Sequence, residues 1–138
     1  MPEGKLEKRA CGRFRIPGAT VRTKMKRTLF RKEAYAPDVS PLVDMSRGGI
    51  RFLTTIKLAL DSPVTVKVSI PGEEEPLVLF GYVRWFAPNP DQTYKYQFGV
   101  QLVPYGDREG FNPPETLERI IALEQSKAVE REDPDLEA

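Results

Sequence analysis

The sequence predicts an all-β core, a small antiparallel barrel or sandwich, followed by one C-terminal helix. Three observations predict it. Apolar residues recur at every second position through several segments. Turns containing Pro and Gly separate these segments. The two-residue period gives way to a helical one only after residue 112. With 138 residues the chain suffices for one domain with its own hydrophobic core.

Taken in order, residues 1–17 are irregular and basic and close at Ile16-Pro17-Gly18, a turn signal. They are expected to form a flexible arm. In 19–29, Val21, Thr23, Met25 and Leu29 share one face of a strand, and Arg22, Lys24 and Lys26 share the other. Residues 49–54 supply a short strand. In 63–70, Val64, Val66, Val68 and Ile70 alternate with Thr65, Lys67 and Ser69, and Pro71-Gly72-Glu73-Glu74-Glu75-Pro76 reads as a hairpin loop with a solvated tip. A long apolar strand follows over 77–86. Its Gly81 signals a bulge, a bend or a close backbone approach, and Gly81 and Trp85 are read as core and packing residues. After the turn at Pro88-Asn89-Pro90-Asp91, Tyr94, Tyr96, Phe98, Val100 and Leu102 alternate with polar residues and Gly99.

The helix is expected to start at Asn112-Pro113-Pro114-Glu115, with Asn112 as N-cap, Pro at the first helical position and Glu three residues on. Leu117, Ile120 and Ile121 form its apolar stripe, and Glu115 and Arg119 have the spacing of an ion pair. The expected organisation is therefore an arm over 1–17, a barrel with its helix over 18–125, and an acidic, frayed tail over 126–138.

Composition excludes several kinds of chemistry. The chain has no histidine and a single cysteine, Cys11, so Ser-His and Cys-His nucleophile systems and an internal disulfide are unavailable. No carboxylate group has metal-ligand spacing, so neither an enzyme nor a metal site is expected. No apolar run has the length of a membrane span and no signal-peptide h-region follows the N-terminus, so the expected location is cytoplasmic. Charge is unevenly placed. Residues 1–36 carry eleven Lys/Arg against three Glu, and the remainder carries ten Lys/Arg against seventeen Asp/Glu. A basic N-terminal third invites an anionic partner.

Two motifs suit such a partner. Arg9-Ala10-Cys11-Gly12-Arg13 is an RxxxR spacing in the arm. Each guanidinium can bond bidentately to a phosphate or to the O6/N7 edge of a guanine. Asp44-Met45-Ser46-Arg47-Gly48-Gly49 is a DxSxxG pattern leading into the 49–54 strand. A carboxylate accepts from guanine N1–H and N2–H, a serine hydroxyl both donates and accepts, and glycine admits a flat base close to the backbone.

In this order, and thirty-one residues apart, the two motifs resemble the PilZ family. The segments Arg13-Phe14-Arg15-Ile16-Pro17-Gly18-Ala19-Thr20-Val21, Gly81-Tyr82-Val83-Arg84-Trp85 and Phe98-Gly99-Val100-Gln101-Leu102 are similar to that family's strands. The resemblance implies a six-stranded antiparallel PilZ-type β-barrel with a C-terminal α-helix. It implies a bacterial second-messenger receptor with cyclic di-GMP as ligand, no other cofactor, and a downstream protein partner. Arg9 and Arg13 would clamp guanine edges and phosphates, Asp44 and Ser46 would read a guanine, and Gly49 would keep the barrel surface open. The arm would close over the ligand. The state is monomer or homodimer. Two other readings stand beside this one. One is a PilZ-type interaction module that needs no ligand. The other is a single-stranded nucleic-acid binder using Arg22, Lys24, Lys26 and Arg27 with Tyr35, Tyr94 and Tyr96. Nucleic acid is not the expected partner, because Tyr94 and Tyr96 share the apolar face of their strand.

Overall fold

A computed structural model of the chain describes residues 12–25, 35–36, 39–90, 93–126 and 129–131. Among them are eight strands and one helix: β1 (Phe14–Arg15), β2 (Thr20–Met25), β3 (Ser40–Met45), β4 (Gly49–Thr54), β5 (Pro63–Ser69), β6 (Leu77–Pro88), β7 (Tyr96–Leu102), α1 (Pro114–Glu124) and β8 (Glu130–Arg131). The strand order is β2-β5-β6-β7-β4-β3, and a β2–β3 pairing closes these six antiparallel strands into a barrel. β1 and β8 continue from β3 beyond the closure. The edge of β3 is shared: its start, Ser40 and Pro41, pairs with β2, and Met45 at its end pairs with Phe14 of β1.

The alternation expected from the sequence selects the inward face. Val64, Val66 and Val68 of β5, Leu77, Leu79 and Val83 of β6, and Phe98, Val100 and Leu102 of β7 are all buried in one core. Ile120 and Leu123 of α1 join them. Gly81 behaves as a packing residue, because a Cβ there would overlap the Gln101 carbonyl and the Val100 side chain. Close approach of β6 and β7 requires hydrogen at this position.

Elsewhere the structure departs from the sequence reading. The strand β3 is not legible as alternation, because it contains Pro41 and a register shift between Leu42 and Asp44. The arm does not extend to residue 17, since Phe14 and Ile16 are core residues. Burying side chains of this size contributes about 1.5–3 kcal/mol each, which fixes a two-residue strand that pairing alone would not hold. The tail expected over 126–138 contains β8, which pairs with β1. Asn112 is not a side-chain cap: Pro113 precedes the helix, and the buried Asn112 amide bonds instead to the Phe80 N–H, the Phe80 carbonyl and the Val103 carbonyl. Arg119 does not turn to Glu115. It donates to Glu73 Oε1 at 2.7 Å and to the carbonyls of Glu75 and Pro76, so the loop tip is tied to the helix.

Trp85 supplies the correction that bears most on function. Strict alternation from Leu77, Leu79, Gly81 and Val83 places Trp85 inward. A register shift between Val83 and Trp85 inserts one residue, Arg84, and reverses the alternation. Phe86 consequently turns inward, 5.2 Å from Phe98 and 5.8 Å from Tyr96 between ring centroids. Trp85 turns outward and is 43% exposed.

Candidate functional site

The β3–β4 hairpin carries the second motif. Its turn is closed by the Ser46 N–H donating to the Gly49 carbonyl at 2.8 Å, and the Ser46 hydroxyl accepts from the Gly48 N–H at 3.3 Å. The Leu102 N–H donates to the Gly48 carbonyl, which fastens the turn to the end of β7. A Cβ at Gly49 would stand 3.2 Å from the Val100 carbonyl oxygen and 3.8 Å from Arg13 Nη2. A side chain here would crowd both the neighbouring strand and the arginine.

Asp44 is the centre of the site. Its carboxylate is fully buried, and among the described residues two guanidiniums cover it. Arg13 Nη1 donates to Oδ1 at 3.0 Å, Arg51 Nε donates to Oδ1 at 2.8 Å, and Arg51 Nη2 donates to Oδ2. A buried carboxylate requires such compensation, since leaving it unpaired costs several kcal/mol. The two arginines are themselves 39% and 32% exposed, so their outer edges face solvent. One buried negative charge is thus held beneath two positive ones, and the local surface has an excess of cation.

Register extends this surface across the barrel. Asp44 of β3 pairs with Arg51 of β4, Arg51 pairs with Gly99 of β7, and Gly99 pairs with Trp85 of β6. Four strands therefore place these residues in a single outer row. A Cβ at Gly99 would lie 3.1 Å from Trp85 Cβ, 3.4 Å from Trp85 Cε3 and 3.8 Å from Arg51 Cγ. Glycine lets the indole and the arginine stem come together there. The result is a shelf with Arg13 and Arg51 at one end, Gly49 and Gly99 beneath, and an exposed indole at the other end.

Of the five residues expected to bind ligand, Arg13, Asp44, Ser46 and Gly49 converge at the head of this shelf, and Arg9 lies outside the described residues. Sequence reasoning missed Arg51 and Trp85. Arg51 stands two residues beyond Gly49 in a recognised strand, and counting to its outward face would have found it. Trp85 had no such signal. Asp44 also differs from expectation in posture. Both its oxygens accept from guanidiniums and neither is open to solvent.

The residues proposed for nucleic-acid stacking are placed otherwise. Tyr96 packs into the core with Phe86 and Phe98. The Tyr35 ring is taken by Lys24 and Lys67, 4.9 and 4.3 Å from its centroid. Lys26 and Arg27 lie outside the described residues. Among the described residues there is no group of His, Cys, Asp and Glu that could hold a metal, and no helix long and apolar enough to cross a membrane.

Residues 8–123 match the family model of the PilZ domain. The chain belongs to the PilZ domain family. The match includes both PilZ motifs, strands β1 to β7 and nearly all of α1. Two solved structures match most of the chain, the first with the same fold. MrkH, described as a c-di-GMP-dependent transcription regulatory factor, is 15% identical with a TM-score of 0.53 over 82% of this chain and 48% of that one. The Bacillus subtilis inhibitor of motility MotI/DgrA is 14% identical with a TM-score of 0.48 over 83% and 51%. This PilZ chain thus spans about half the length of each. No curated protein matches the sequence.

Proposed function

We propose that the chain is a cyclic di-GMP receptor of bacterial second-messenger signalling, and that it acts by binding rather than by catalysis. The observation that carries this reading is the shelf: Arg13 and Arg51 over buried Asp44, with Gly49 and Gly99 as a flat floor and the Trp85 indole beside them. A cyclic dinucleotide offers what the shelf can take, namely two phosphates for guanidiniums, guanine O6/N7 edges for arginine forks, and flat bases for an indole.

Binding proceeds by exchange. Arg13 leaves Asp44 Oδ1 for a phosphate or a guanine edge, and guanine N1–H and N2–H take its place on the carboxylate. Arg51 stays on Asp44 throughout, so the buried charge is never left bare. Ser46 and Gly49 border the base, and Arg9 closes from the arm. Ligand thereby shifts the population of arm conformations and presents a changed surface to a downstream protein.

The test is calorimetric titration with cyclic di-GMP, GTP and cyclic di-AMP, using the wild type and an Arg9→Ala/Arg13→Ala variant. Saturable, guanine-selective binding lost in the variant is the expected result. Absence of binding up to about a millimolar, equivalent to roughly −4 kcal/mol, would overturn the receptor reading. The alternative is then a ligand-independent interaction module, which draws on the exposed Phe80 and Tyr82 on the outer face of β6.

A further inference from the structure

The second motif contains Arg47, a residue whose side chain turns away from the shelf. Its Nε and Nη2 donate to the two carboxylate oxygens of Glu124, each at 3.0 Å, at the last residue of α1. Its carbonyl accepts the Tyr105 hydroxyl at 2.6 Å. The turn bearing Ser46 is therefore held to the C-terminal end of the helix by a bidentate ion pair, the geometry in which arginine is most directional.

Glu124 is gripped a second time. Arg131 of β8 donates from Nε and Nη2 to the Glu124 backbone carbonyl, at 3.0 and 2.5 Å. β8 in turn lies along β1, with Arg131 opposite Phe14 and Glu130 opposite Arg15. β1 follows directly on Arg13, whose guanidinium returns to Asp44 two residues before Ser46. These links close a ring: Arg13, β1, Arg131, Glu124, Arg47, the Ser46 turn, Asp44 and Arg13 again. It joins the two motifs through the C-terminal segment, in addition to the direct pairing of β1 with β3.

We propose that this ring makes the C-terminal segment part of the ligand site, with Arg131, Glu124 and Arg47 as positioning residues for Arg13 and the Ser46 turn; the inference rests on the cyclic di-GMP reading above. The physical reason is the shortness of β1. Two residues paired on one edge only leave the backbone of Arg13 free to fray, and a second partner strand restrains it. With the β1 backbone held by β8, Arg13 has less freedom left to lose when its guanidinium exchanges Asp44 for ligand, and that saving appears as affinity.

The test uses the full chain with Arg131→Ala, Glu124→Gln and the double variant. Cyclic di-GMP affinity is measured by calorimetry, global stability by urea unfolding, and β1 amide exchange by mass spectrometry or NMR without ligand. Arg131 is exposed on a terminal strand, so the first variant leaves the core intact. Each single variant is expected to bind about three- to tenfold more weakly, at nearly unchanged urea midpoint and with faster β1 exchange. Because a ring cut twice is no more open than a ring cut once, the double variant should bind no more weakly than the weaker single. Affinities within twofold of wild type would overturn the proposal, as would losses that track the urea midpoint or that add in the double variant. If the wild type binds no cyclic di-GMP, the receptor reading fails separately. Exchange alone then decides the ring: unchanged β1 protection in Arg131→Ala overturns it, and faster exchange supports it.

Discussion

Arg13 donates to Asp44 across 3.0 Å although thirty-one residues separate them in the chain. The contact joins the residue just ahead of β1 to the strand that β1 pairs with, and it brings the ends of the two motifs to one place on the barrel surface. On the receptor reading proposed above, a ligand would replace one partner of the buried carboxylate and engage the outer edges of the two guanidiniums.

Arg13→Ala should weaken cyclic di-GMP binding by about 2–4 kcal/mol, since it removes charge-assisted bonds from a partly desolvated site. Arg51 keeps Asp44 compensated, so the urea midpoint should move little. Calorimetry beside urea unfolding checks both. An affinity equal to wild type would remove Arg13 from the site.

Asp44→Ala should affect the fold as well as the ligand. It strips the acceptor from two guanidiniums that reach it from either side of β3, Arg13 from just ahead of β1 and Arg51 from β4. Because both are about one-third exposed, water recovers part of the loss, and the destabilisation should be about 1–3 kcal/mol rather than the larger cost of a fully buried pair. Urea unfolding measures it. Arg51→Lys should keep the charge but lose the two-pronged contact, so its stability should lie between wild type and Asp44→Ala.

Trp85 is the single tryptophan of the chain, and its emission reports on the shelf without a label. Saturation with cyclic di-GMP should quench or shift it. Trp85→Phe should be nearly neutral in stability, because the indole is outside the core. Trp85→Ala should cost about 1–3 kcal/mol of binding, the range for stacking on a base. Unchanged fluorescence at saturation would place the ligand elsewhere.

Burial pushes the Tyr105 phenol up to about 12; Arg47 opposes the rise and Glu124 adds to it. An unfolded tyrosine titrates near 10, so between about pH 10 and 12 the folded state holds this proton more tightly than the unfolded state does. The contribution to stability is full below about pH 10 and is lost as pH rises towards 12. Urea midpoints from pH 9 to 11.5 should fall more steeply for wild type than for Tyr105→Phe. Parallel curves would show that the hydroxyl bond to Arg47 does not couple to folding.

Much of this arrangement can be read without coordinates. The alternation of β5, β6 and β7 is a property of each strand alone, and one buried face suffices to impose it. The paired motifs place Arg13, Asp44, Ser46 and Gly49 together because the family resemblance carries their geometry. Two-residue strands such as β1 and β8 have no period to detect, and Pro41 hides β3 behind a residue that strands ordinarily exclude. Asn112 has the sequence context of a cap, yet backbone groups of Phe80 and Val103 claim its amide. Glu115 is the local partner for Arg119, but the carbonyls of the 75–76 loop are better placed.

The sequence by itself determined a small antiparallel β-fold with a terminal helix, and the PilZ resemblance implied that this fold is a barrel and that the two motifs belong together. The first depends on local periodicity and the second on residue types and their spacing along the chain. Only the tertiary structure decided that Trp85 faces outward, that Arg51 shares Asp44 with Arg13, and that Arg47 reaches the end of the helix. The reason is register. A one-residue bulge reverses a strand's faces, and ion-pair partners are chosen by which strands lie side by side, neither of which is a property of any single segment.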